Sequence, residues 1–336
     1  MHEKTTLSTT NRGNWERFKA GLHSLGFSPL FLFFVLFLAL TPLFIKDAYL
    51  RRLLVVSLFF GTLAMTFDFT GGFINAVNFG FAGFLGLGAY VSALVAMNTG
   101  LGPWIGLFLA ALLTGLVGFL TGILTLPLRG IYVSLMSWFV GMTLMALATA
   151  MEDVTHGSRG LVVPSFSEEI TIVGYLYILL GIMVVMYIIL RLIIRSRIGL
   201  AFRAIGQNFD AALASGVDPT RYKLLNFTIS CACAGLLGGF YSHFVGIVTP
   251  DLMDTNYTME VMALSFIGGS GSLVGGFFAA FLLIPIFDSL KKLMEYRLII
   301  YGLLLIIVMI FYPAGLSGLY QQIRQMFRKQ EKKPGA

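Results

Sequence analysis

Apolar runs 13 to 25 residues long recur along this chain, separated by short clusters of charge, Pro and Gly. A helix that crosses the hydrocarbon of a bilayer needs about 20 predominantly apolar residues. The runs at 27–45, 52–70, 82–98, 104–126, 131–150, 172–194, 223–247, 257–269, 273–289 and 298–312 therefore each read as one crossing, about ten in all, the eighth being short. The stretch 71–81, rich in Gly and Asn, reads as a re-entrant or broken-helix segment. The predicted fold is all-α: a polytopic transmembrane helical bundle over 27–318, preceded by a polar N-terminal segment (1–26), interrupted by a loop at 195–222 and followed by a polar tail (319–336).

Composition agrees with the pattern. Of 336 residues, 57% are hydrophobic and 12% charged, and the mean hydropathy is +0.86, far from a soluble domain with about a quarter of its residues charged. Lys and Arg accumulate in cytoplasmic loops. With both termini inside, only Lys46, Arg51, Arg52, Arg159, Lys291, Lys292 and Arg297 of the 23 basic residues lie outside. This places both termini and 195–222 in the cytoplasm. It also accounts for the net charge of +7 without a nucleic acid partner. Residues 1–26 carry an Arg/Lys bias unlike a cleaved leader and read as a cytoplasmic lead-in.

The loop at 195–222 has physical ends. Arg191, Arg195, Arg197 and Arg203 follow the sixth run, where long basic side chains reach interfacial phosphates. Residues 204–215 are helix formers of little hydrophobic length, and Gly216 is a C-terminal stop. Asp218 with Pro219 is the cap and first turn of the next helix. The expectation is one short helix lying along the membrane surface between two crossings. It could equally be a solvated interfacial helix with no partner.

Ionisable and amide side chains within the runs are candidates for function, because each is costly at membrane depth. Asp68 is the deepest by register and is the candidate to face a pathway. Asp288 lies within a turn of Lys291 and Lys292, and Glu260 opens a short run near the outer surface. Asn75 and Asn78 line a pathway or bond to a neighbouring helix. Gly83, Gly86 and Gly88, with Gly71, Gly72 and Gly80, serve either as hinges or as ordinary helix contacts. Gly268, Gly269 and Gly271 form a tight cytoplasmic turn. That turn lacks the Gly-Lys-Ser/Thr ending of a phosphate loop, and no catalytic Ser/His/Asp or Cys/His set is visible. Four His without a cluster, His156 and His243 among them, argue against a metal site, and Cys231 and Cys233 read as small apolar residues.

Several segments resemble one family. The loop Asp210, Ala211, Ala212, Leu213, Ala214, Ser215, Gly216 is similar to the EAA loop of ABC importer permeases. The text from Arg195 to Gly239 resembles the LivM-type permeases of branched-chain amino acid importers. So do Gly86-Leu87-Gly88-Ala89-Tyr90, Glu260 with Gly268 to Ser272, and Tyr312-Pro313-Ala314-Gly315-Leu316. The matches run in order from about residue 60 to 318.

The resemblance implies a permease subunit of an importer in a prokaryotic inner membrane, with no cofactor of its own. ATP and Mg would be held by two separate ATPase subunits. A second permease subunit, LivH-like or a copy of this chain, and an extracytoplasmic binding protein would complete it. Asp210, Ala211, Ala212, Gly216 and Arg203 would couple to the ATPase. Where relatives usually carry a His, this chain has Phe81, so the cargo stands open between branched-chain amino acids and urea, short amides or aromatic acids. An ion-coupled secondary transporter using Asp68 or Glu260, or a channel with a glycine-rich filter, would show similar hydropathy.

Overall fold

The computed structural model describes residues 29–289 apart from Leu101 and Glu168, with a few isolated positions after 298. The lead-in 1–26, the basic residues Lys291, Lys292 and Arg297, most of the tenth run and the tail lie outside the described residues.

The described chain is helical, as its apolar periodicity demands. In order come α1 (Pro29–Phe44), α2 (Ala48–Gly71), α3 (Phe81–Asn98), α4 (Pro103–Thr125), α5 (Ile131–Ala150), the single turn α6 (Glu152–Thr155), α7 (Ile172–Arg195), α8 (Arg197–Gln207), α9 (Phe209–Ala214), α10 (Pro219–Val245), α11 (Thr255–Gly268) and α12 (Gly275–Ser289). Two dipeptide strands, β1 (Leu161–Val162) and β2 (Ile247–Val248), pair antiparallel.

Six of these helices, α2, α3, α4, α5, α7 and α10, are long and apolar enough to span a membrane. One of the ten expected crossings is shorter: α11 has 14 residues, whereas α1 starts at the first described residue and α12 ends where the continuously described stretch ends. At 1.5 Å per residue α11 is only about 21 Å long, against a hydrocarbon core of about 30 Å. The cause lies in what precedes it. After β2 the chain turns back into the bundle, Met253 packs on Gly86 in the second turn of α3, and Trp138 Nε1 of α5 donates to Thr255 Oγ1 at 2.9 Å. Helix α11 therefore starts part-way along the bundle, capped by the Asp254 side chain on the Asn256 amide.

The 71–81 segment behaves in a related way. Helix α2 ends at Gly71, and residues 76–80 run back into the bundle before α3 begins. Phe79 N–H donates to Ser137 Oγ at 3.1 Å, and Asn78 is buried beside Cys231 of α10. The helices that follow the two irregular segments meet where Ala82 N–H of α3 donates to Thr258 Oγ1 of α11 at 3.0 Å. Non-helical backbone inside a membrane bundle is tolerated where protein buries it or where it lines a cavity.

Helix α10 runs through the middle, packed chiefly on α4 and α3. At the α3–α10 crossing a Cβ on Gly88 would overlap the backbone of Gly235, so these two helices touch main chain to main chain, a contact only small residues allow. Helix α2 is the most enclosed span, its face from Ser57 to Gly71 buried throughout. By contrast α4, α5 and α7 present Phe108, Leu112, Leu116, Phe139, Met142, Val185 and Ile189 outward, as lipid or an apolar partner requires.

Candidate functional site

At one end of the bundle three connections converge. The loop expected to hold one helix holds two, α8 and α9, broken at Asn208. That residue is extended (φ −156°, ψ 111°), and its side chain caps α9 by accepting from Ala211 N–H at 3.0 Å. A second cap therefore interrupts a stretch whose composition alone favours continuous helix. Gly216 has φ +82° and ends α9, while Asp218 accepts from the Thr220 and Arg221 amides to start α10 at Pro219.

Helix α8 rests on the segment after α2. Asn75, with φ 59°, donates through Nδ2 to the Gly206 carbonyl at 3.1 Å, and the Arg203 guanidinium lies 5.5 Å from the Phe73 ring centroid. Helix α9 reaches the α4–α5 connection: Arg129 Nη1 sits 3.3 Å from Asp210 Oδ1, and Phe209 lies between the Arg129 guanidinium and the Lys223 ammonium, each 4.6 Å from its ring. Ala212 is buried, whereas Asp210, Ala211, Leu213, Ala214 and Gly216 are exposed. The outer face of α9 is small and apolar with an acid at its first turn.

Asp68, expected to face a pathway, is enclosed instead. Its Oδ1 accepts from Gly271 N–H and its Oδ2 from Leu273 N–H, both at 2.8 Å, with Ser265 Oγ at 3.4 Å. One carboxylate thus clasps the turn between α11 and α12, where Gly269 (φ 108°), Gly271 (φ 76°) and Leu273 (φ 58°) take positive φ. Gly268 packs against the Gly275 and Gly276 backbone. The glycine-rich turn is a structural element tied to α2.

The other candidates also resolve into packing. Phe81 is 1% exposed and meets Phe67 edge-on at 5.5 Å. Gly83 lies against Gly141 of α5, and Gly86 and Gly88 are filled by Met253 and by α10. Asn78 bonds locally through Oδ1, accepting from Gly80 N–H at 3.0 Å. His243 is a strut: its Nδ1 lies 2.7 Å from the Pro164 carbonyl, which only a protonated nitrogen can satisfy, and Nε2 accepts from Ser92 Oγ at 2.9 Å.

At the opposite end a cavity of about 530 Å³ opens between α2, α10, α11 and α12. Arg52, Glu260 and Asp288 line it along with Val56, Phe60 and Ile284. The Tyr49 hydroxyl donates to the Asp288 carboxylate; the expected pairing of Asp288 with Lys291 or Lys292 falls on residues outside the described ones. Sequence reading placed Arg52 among the basic residues of the outer segments and Glu260 near the outer surface. Their convergence was not legible, because 208 positions separate them along the chain.

The profile described as "Branched-chain amino acid transport system / permease component" matches residues 49–309. The chain belongs to this permease family. Among curated relatives, the permease shares 28% identity over 316 residues with the LivM protein of the high-affinity branched-chain amino acid transport system of Salmonella typhimurium, covering 85% of this chain and 74% of the relative. It shares 24% over 281 residues (73% and 84%) with a probable LivH branched-chain amino acid permease of Methanocaldococcus jannaschii. With the autoinducer 2 import permease LsrC of Salmonella paratyphi B it shares 27% over 239 residues (65% of each). No solved structure matches it significantly. Family membership and six long apolar helices together make the permease an integral membrane protein of LivM type.

Proposed function

We propose that the permease is the membrane-spanning subunit of an ATP-driven importer for branched-chain amino acids, powered through the α8–α9 loop. The observation that carries the reading is that loop: a capped helix pair with an exposed Asp210–Ala211–Leu213–Ala214 face, fastened to the segment after α2 by Asn75–Gly206 and to the α4–α5 connection by Arg129–Asp210. A partner that displaced α9 would pull on two other connections at the same end. Two ATPase subunits holding ATP and Mg fit this face, and the basic bias puts it in the cytoplasm with both termini. A second permease subunit, LivH-like or a second copy, and an extracytoplasmic binding protein complete the assembly in a prokaryotic inner membrane. The LivM and LivH relatives support the cargo class.

The test is uptake and ATP hydrolysis by the reconstituted assembly. Asp210→Lys and Gly216→Val are expected to cut binding-protein-stimulated ATP hydrolysis at least about tenfold while the chain still inserts, the second because a β-branched residue at φ +82° costs about 1–2 kcal/mol. Uptake driven by a proton or sodium gradient without ATP would overturn the reading. A ligand screen on the binding protein with leucine, isoleucine, valine, urea, short amides and aromatic acids decides the cargo.

A further inference from the structure

A polar seam joins α2 to α10 near the end of the bundle that carries the α8–α9 loop. From α10, Ser230 Oγ donates to the Thr66 carbonyl at 3.1 Å, and one turn earlier Asn226 Nδ2 donates to the Phe69 carbonyl at 2.8 Å. Beyond these two bonds the seam is incomplete. Asn226 Oδ1 and the hydroxyl of Thr70, in the last turn of α2, are buried without a hydrogen-bond partner among the described residues, and the two residues are 0% and 2% exposed.

The orientation of the Asn226 amide is fixed by its neighbour. Turned over, it would set its oxygen against the Phe69 carbonyl, two acceptors with no proton between them. Thr62 and Thr66 on the same helix donate back to the Leu58 and Leu63 carbonyls, the usual outlet for a helical hydroxyl. The carbonyl one turn before Thr70 is that of Thr66, which already takes the Ser230 hydroxyl, and Thr70 makes no such bond.

Thr70 and Asn226 line one cavity of about 20 Å³, together with Thr125, Lys223 and Phe227. A single water needs about 10–15 Å³ of such space and two to four polar partners. Thr125 Oγ1 donates to the Gly122 carbonyl at 2.8 Å and keeps a lone pair for a further donor. The lining holds no carboxylate and its one charge is the Lys223 ammonium, a setting that disfavours a metal cation. Ile74 and Lys223 also border the larger cavity of about 270 Å³ beside α9, the side from which water enters.

We propose that one water molecule is bound here, donating to Asn226 Oδ1 and accepting from the Thr70 hydroxyl, and that it completes the α2–α10 seam at the base of the α8–α9 loop. The site is independent of what drives transport.

In the full chain in mixed micelles, Thr70→Val removes the hydroxyl at nearly constant shape. A bound water then loses a partner, and the denaturation midpoint is expected to fall; in a dry cavity the change trades an unsatisfied hydroxyl for a methyl, and the midpoint holds or rises. The second readout is hydroxyl-radical labelling by a brief X-ray pulse, in which radicals form from water in place. Phe227, 5% exposed, should be oxidised about threefold or more faster than Phe240 of the same helix, 0% exposed, because it lies against bound water. Thr70→Val should bring the two rates together, and Thr70→Ser, which keeps the hydroxyl, should preserve the difference. Equal rates in the unsubstituted chain, a difference that survives Thr70→Val, or a midpoint that holds or rises in Thr70→Val overturns the proposal. A midpoint that falls when choline replaces sodium and potassium, in the unsubstituted chain but not in Thr70→Val, gives the site to a cation and overturns it as well.

Discussion

Removing the Asp68 carboxylate tests whether the α11–α12 turn depends on one side chain of α2. In Asp68→Ala the Gly271 and Leu273 amides lose acceptors at 2.8 Å, and Ser265 loses a weaker partner at 3.4 Å. A buried donor left unsatisfied costs about 1–3 kcal/mol, so the two amides set a range of about 2–6 kcal/mol. Water entering the vacated volume offsets part of this, and about 3 kcal/mol is expected. Asp68→Asn keeps one acceptor but turns an amide N–H₂ toward the other backbone donor, so it should lose about half as much or more. Reversible unfolding of the purified chain in mixed micelles, followed by circular dichroism against denaturant, reads both variants. A change within about 0.5 kcal/mol for Asp68→Ala would refute the clasp. Full stability of Asp68→Asn with loss of uptake would instead return Asp68 to a pathway role.

Gly88→Val should force α3 from α10 at the Gly235 contact and lower stability by about 1–3 kcal/mol, read in the same unfolding assay; unchanged stability would show that the helices can separate there. Phe81→His places an imidazole in a site 1% exposed and lined by Phe67, with an expected loss of about 1–3 kcal/mol and no change of cargo preference in competition uptake. Arg129→Ala breaks a pair whose side chains are 66% and 78% exposed, so stability should move by less than about 0.5 kcal/mol, while stimulated ATP hydrolysis falls because α9 loses its link to the α4–α5 connection. His243→Ala frees the Pro164 carbonyl and Ser92 hydroxyl, and limited proteolysis between 157 and 170 should accelerate several-fold; an unchanged cleavage rate would mean that β1–β2 pairing alone holds that connection.

The α8–α9 loop shows how far local signals reach. Gly216 as a stop and Asp218 with Pro219 as a start were legible, because capping is decided within a few residues by backbone donors and acceptors. The break at Asn208 had the same kind of signal, an Asn three positions before Ala211. It was hidden by the good helix formers on either side. The glycines of α3 carried no such signal, since a small residue suits a hinge and a close contact equally. Only the neighbour across the gap, Gly141 for Gly83 or Gly235 for Gly88, distinguishes them.

Hydrophobic periodicity by itself determined that this chain is a bundle of membrane helices, where most of them lie, and which connections carry its positive charge, because burial of apolar length and local capping depend on sequence neighbours. Tertiary structure alone decided that α11 is shorter than a full span, that Asp68 clasps a turn more than 200 positions away, and that Arg52 and Glu260 share one cavity. The reason is the same in each case. A buried polar group takes whichever partner the packing brings within about 3 Å, and that choice is made by helices meeting in space rather than by spacing along the chain.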